Sequence, residues 1–136
     1  MIERYTLPEM GKIWTEETKY NKWLQVELAV CEGLSKEGEI PKKSFLNIKR
    51  KAKFNVNRIL KIEEEVKHDV ISFLTSVAEN VGPDSRYIHR GLTSSDILDT
   101  GLALQMKDAA NIILSDIKKS INILKKKSKL YKDVVM

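Results

Sequence analysis

Apolar residues return every three or four positions through most of the chain, and glycine or proline interrupts them at intervals, which predicts a series of helices. Thr15 is a good N-cap and is followed by Glu16 and Glu17. Beyond it Tyr20, Trp23, Leu24, Glu27, Leu28, Cys31 and Leu34 share one helical face, until Gly38, ahead of Ile40-Pro41, predicts the end. Residues 42–53 and 56–67 predict two shorter helices on either side of Phe54-Asn55, with Phe45, Ile48, Ile59, Leu60 and Ile62 as core candidates. Val70, Phe73, Leu74, Val77, Ala78 and Val81 predict another helix, starting near Asp69 and stopping at Gly82-Pro83. Residues 83–92 are rich in Gly, Pro, Asp and Ser and predict a loop, while residues 1–14 show no period and predict an extended arm with one helical turn. No segment alternates as a strand does, so the predicted fold class is all-α.

The last segment has the longest pattern. Leu98, Leu102, Met106, Ala109, Ile113, Ile117, Ile121, Leu124, Ser128, Tyr131 and Val135 recur at about 3.7 residues, a single stripe unbroken to the end. From Ser94 to Met136 that predicts a rod of roughly 64 Å at ~1.5 Å per residue. The short helices before it cannot cover such a rod, so the stripe is expected to pack against other chains or against sequence absent here. Because Val134-Val135-Met136 carries no stop signal, the chain reads as the N-terminal part of something larger. The expected division is a small helical domain over residues 1–92 and the first long helix of a bundle over 93–136.

Composition narrows the function. With 136 residues, 42% apolar and 32% charged, the chain has the balance of a single soluble domain, and it contains no apolar run long enough to span a bilayer. The N-terminus has no signal-peptide pattern, which places the protein in the cytoplasm. Cys31 is the only cysteine, excluding an internal disulfide or a cysteine-rich metal site, and its flanks suit a buried thiol. The net charge of +5 comes from lysines in residues 42–58 and 118–132 that alternate with apolar residues at helical spacing. That is the pattern of a solvated helix face; neither interleaved aromatics nor a compact reading module points to nucleic acid.

Candidate chemistry lies where the loop feeds the long helix, at His89-Arg90-Gly91-Leu92-Thr93-Ser94-Ser95-Asp96. Thr93, Ser94 and Ser95 are N-cap residues and Asp96 falls in the first turn, so the free amides form a site for a carboxylate or phosphate. Taken alone this is also an ordinary helix cap. Lys67-His68-Asp69 ahead of a helix is by itself a solvated helix start, and Arg4-Tyr5 a mobile arm. For His89 two readings stay open: support of the site from behind, or plain exposure.

Taken in order and at these spacings, Arg4-Tyr5-Thr6-Leu7-Pro8-Glu9-Met10, Ala52-Lys53-Phe54, Lys67-His68-Asp69 and Gly91-Leu92-Thr93-Ser94-Ser95-Asp96-Ile97 closely resemble the adenylosuccinate lyases of the fumarase/aspartase superfamily. The resemblance covers nearly the whole chain. It implies an all-helical fold whose long helices bundle with those of other subunits in a homotetramer, with each active site built from three subunits. It also implies cofactor-free, metal-free β-elimination of fumarate from adenylosuccinate, giving AMP, and from the succinyl-carboxamide ribotide of purine synthesis. Loss of a Cβ proton builds charge on the neighbouring carboxylate, which fixed donors must meet. The resemblance gives that task to Thr93 and Ser94, the ribotide phosphate to Arg4 with Tyr5, and other anionic or polar groups of the substrate to Lys67, His68 and Asp69. The reading leaves His68 an assisting role in proton transfer, whereas the family's general acid, a histidine in a Thr-His motif, and its general base, a serine on a glycine-rich loop, match nothing here. The isolated chain is therefore expected to be inactive. Carboxymuconate cycloisomerase has a similar cap sequence but handles no ribotide, so Arg4-Tyr5 and Lys67-His68-Asp69 argue against it. A non-catalytic assembly module leaves the Gly91 to Asp96 loop and the Arg4-Tyr5 arm without purpose.

Overall fold

The computed structural model describes residues 2–135; apart from a 3₁₀ turn at Glu3–Tyr5, a second one at Gly82–Tyr87 and the connecting turns, those residues are α-helical, with no strand among them. The helices are α1 (Pro8–Ile13), α2 (Glu16–Lys36), α3 (Lys42–Lys51), α4 (Val56–Val66), α5 (Asp69–Val81) and α6 (Ser94–Leu130). Local chemistry sets most boundaries. The Thr15 hydroxyl accepts the Thr18 amide at 3.2 Å to open α2, and the Asn55 side chain accepts the Arg58 amide at 3.0 Å to open α4. At the end of α2, Gly38 takes φ +82°, which lets the Glu39 amide turn back to the Leu34 carbonyl at 2.9 Å.

α2 is the axis of the packing. Its buried face, Tyr20, Trp23, Val26, Glu27 and Cys31, meets α5 and the α3–α4 pair on one side and α6 on the other. At its first turns Tyr20, Trp23, Phe54 and Phe73 form an aromatic cluster with ring centroids 5.2–6.0 Å apart, Tyr20 stacked on Phe73 and Trp23 edge-on to both. Burial of such rings is the largest apolar contribution per residue available to a small domain. α5 pairs with α4 and meets α2 through Phe73, and beyond it the chain reaches Tyr87, whose carbonyl lies 3.8 Å from the Cys31 sulfur.

α6 runs back antiparallel to α2 and presents Ile97, Gly101, Gln105 and Ala109, one row at i, i+4 spacing. The row is tied by Lys22 to Asp108 at 2.6 Å and by the Gln105 amide, which donates to the Ile13 carbonyl at 2.7 Å. Of the predicted stripe only Ala109 is buried and Leu98 half-buried, whereas Leu102, Met106, Ile113, Ile117, Ile121 and Leu124 are exposed, as is every residue from Ile113 to Leu130.

Several expectations need correction. α6 ends at Leu130 with Tyr131 as its C-cap, so Val135 lies outside the helix, and Met136 lies outside the described residues. The rod is then roughly 55 Å long. Part of the predicted 83–92 loop is the Gly82–Tyr87 3₁₀ helix, α1 is nearly two turns, and Leu60 is exposed rather than core because the inward face of α4 is Val56, Ile59 and Ile62.

Candidate active site

The start of α6 is built as a cap. The Asp96 carboxylate accepts the Thr93 amide at 2.7 Å and the Thr93 hydroxyl at 2.9 Å. Those bonds, the amide first, hold the Asp96 carboxyl below its ordinary value. The Ser94 hydroxyl makes no hydrogen bond among the described residues, and the Ser94 and Ser95 amides stand ahead of the intrahelical ladder. Outward amides, a free hydroxyl and the positive end of the helix dipole suit a ligand carboxylate.

The turn leading to this cap is tied to α2 by a residue the sequence did not mark. Glu27, 1% exposed, takes the His89 amide on one carboxylate oxygen at 2.9 Å and the His89 Nδ1 on the other at 2.8 Å. Burial raises the Glu27 carboxyl and the His89 bonds pull it partly back. His89 holds φ +65° and Gly91 φ +76°, so the turn carries two left-handed residues, one of them not glycine. Arg90 reaches the Glu39 carbonyl at 3.4 Å. Cys31, beneath the turn, is pushed up to about 11, chiefly by burial and then by the charge of Glu27, which makes it an inert packing thiol.

Lys67-His68-Asp69 forms the α4–α5 junction. Lys67 closes α4 in a left-handed conformation at φ +55°, and His68 is the N-cap of α5, its Nδ1 accepting the Ile71 amide at 3.4 Å. That contact leaves Nε2 as the donor of a neutral ring. Asp69 accepts the Val70 amide at 2.7 Å, and the side chains of Lys67 and His68 are exposed.

Arg4 and Tyr5 lie on the first 3₁₀ turn, exposed, the guanidinium 4.7 Å from the Tyr5 ring centroid. Tyr5 borders a groove of about 600 Å³ whose other wall is Ile112, Ile113, Asp116 and Lys119 of α6.

A single chain does not bring these groups together. Tyr5 sits beside Ile113, which at ~1.5 Å per residue is roughly 28 Å along α6 from Ser94. His68 precedes Phe73, which packs at Tyr20 and Trp23, whereas Ser94 lies beyond Gly101 on the far side of Trp23. Arg4, Tyr5, Lys67 and His68 are exposed, and Asp69 and Ser94 are half-buried. Among the described residues no cluster of His, Cys, Asp and Glu could hold a metal, and no helix is long and apolar enough to cross a membrane.

Comparison with known proteins places this arrangement. The chain is 54% identical over 136 residues to adenylosuccinate lyase of Synechocystis sp., and 43% identical over 136 residues to that of Bacillus subtilis. Each match covers all of this chain and 32% of the relative, so the chain spans about a third of the length of these curated relatives. In structure it resembles 3-carboxy-cis,cis-muconate lactonizing enzyme from Pseudomonas putida, with a TM-score of 0.80 at 24% identity over 91% of this chain and 30% of that one, a likeness of fold alone. Residues 3–136 match the sequence pattern of the lyase family, and the chain belongs to that family.

Proposed function

We propose that this chain supplies the N-terminal portion of an adenylosuccinate lyase, which eliminates fumarate from adenylosuccinate and from the succinyl-carboxamide ribotide in the cytoplasm, without cofactor or metal. The observation that carries this reading is the likeness to adenylosuccinate lyases along every residue of the chain. The muconate-enzyme reading is not favoured, because its support is one of fold alone.

In this reading residues 1–92 are a helical head and residues from 93 begin a shared bundle. Ser94, whose hydroxyl is unengaged, holds the succinyl carboxylate on which charge develops, and Thr93 beside it reaches that carboxylate only by releasing its hydroxyl from Asp96. Arg4 takes the phosphate in the planar fork of its guanidinium, with Tyr5 adding a hydroxyl. Lys67, His68 and Asp69 line a different wall, His68 with Nε2–H available to an anionic group or to an assisting proton transfer. The distances between these groups within one chain support a pocket assembled from several copies, in a homotetramer with exposed α6 stripes at its centre.

The test is fumarate release from adenylosuccinate. The intact enzyme is expected to turn over, with Ser94→Ala losing mainly kcat and Arg4→Ala mainly raising KM, since only the carboxylate changes charge during reaction. The 136-residue chain alone is expected to release none, and to recover activity when mixed with a chain carrying the central and C-terminal parts. Turnover by the chain alone that vanishes in His68→Ala would instead make His68 a catalytic residue in its own right.

A further inference from the structure

Glu27 is a buried carboxylate that the proposed chemistry does not use. Charged side chains are seldom fully buried without partners, and both partners of this one belong to His89, 62 residues away in sequence. One oxygen takes the backbone and the other takes the ring, so the two bonds fix the residue's backbone conformation and its ring orientation at once. A non-glycine residue in the left-handed region is strained, and the Glu27 bonds offset that strain at the position where the turn bends toward Thr93. The Leu92 amide then closes on the His89 carbonyl at 3.5 Å, one residue before the cap.

We propose that Glu27 is the positioning residue of the helix-cap site: its buried carboxylate clamps His89 by backbone and ring, and thereby sets both the turn that carries Thr93 and Ser94 and the proton position on the imidazole. A carboxylate 2.8 Å from Nδ1 requires a proton there, so the neutral ring is the Nδ1–H tautomer with its lone pair on Nε2. The ring is one-fifth exposed, so Nδ1 is shielded while the imidazole still reaches solvent. A merely structural Glu27 would matter only to stability.

The catalytic half of this inference rests on the lyase reading; the structural half does not. Nitrogen-15 imidazole spectra of the chain decide the structural half. Its two histidines are distinguishable, because His89 is expected to carry its proton on Nδ1 and His68 on Nε2. A wild-type His89 with the proton mainly on Nε2 overturns the clamp. In Glu27→Gln the amide oxygen can satisfy only one of the two donors, so the expected result is a shift of the tautomer toward Nε2–H or exchange of the His89 amide at least tenfold faster. In the intact enzyme the same substitution is expected to lower kcat tenfold or more, to leave KM within about threefold and to displace the pH profile of kcat/KM. Unchanged kinetics and pH profile in a variant whose tautomer has moved overturn the positioning role. Absence of fumarate release by the wild-type intact enzyme would reject the lyase reading while the spectra still decide the clamp. Should Glu27→Gln not fold, the wild-type spectra carry the test.

Discussion

Asp96 shows how a single side chain makes the candidate site depend on pH. Its carboxyl is lowered by the Thr93 amide and hydroxyl, so the folded chain binds that proton more weakly than the unfolded chain does. The resulting stabilisation of the cap is present above the unfolded value, about pH 4, and is lost as the pH falls through the lowered folded value. Amide exchange at Thr93 is expected to be protected at pH 6 and to lose protection below about pH 4, and Asp96→Asn is expected to abolish that dependence. This residue was legible in the sequence, since a Thr followed three positions later by an acid needs only local geometry. Thr15 and Gly38 were legible for the same reason. Glu27 was not: it occupies a helical face position like its apolar neighbours, and its partner is distant in sequence. The only available sign was a lone acid among Trp23, Leu24, Leu28 and Cys31.

Among the elements, α6 carries two distinct faces. Periodicity exposed the richer one, Leu102 to Leu124, yet the face that packs on α2 is Ile97, Gly101, Gln105 and Ala109, which has little hydropathy because close approach selects small side chains. Gly101 is the contact point. A Cβ there would stand 2.8 Å from Cδ1 of Trp23, which is itself buried and held by Tyr20 and Phe73. Gly101→Ala is therefore expected to destabilise the fold by about 1–2 kcal/mol, overpacking outweighing the ~1 kcal/mol gain in helix propensity. Gly33→Ala in α2, where a Cβ meets nothing within 4 Å, is expected to stabilise it by about 0.5–1 kcal/mol. Chemical denaturation midpoints compare the two directly. The helix order and the core faces of α2 and α5 followed from period alone, but the choice of α6 face required knowing its neighbour.

At the scale of the whole molecule, the exposed stripe from Leu102 to Leu124 is too long an apolar surface for a stable monomer. Sedimentation at tens of micromolar (on the order of usual working concentrations) is expected to show self-association, with Ile117→Lys combined with Leu124→Lys returning the chain to monomer. A wild-type monomer at those concentrations would contradict the role given to this face. The three motif clusters were each visible in the sequence, but their separation was not, because spacing along a chain says nothing about which end of a bundle each reaches. The bond from Gln105 to the Ile13 carbonyl has one more consequence, in the order of synthesis. On a ribosome Ile13, at the end of the segment that bears Arg4 and Tyr5, emerges well before α6, and its anchoring partner is made 92 residues later. At ~5–20 residues per second that is a wait of about 5–18 s, so this early-made segment finds its place only after α6 has been made.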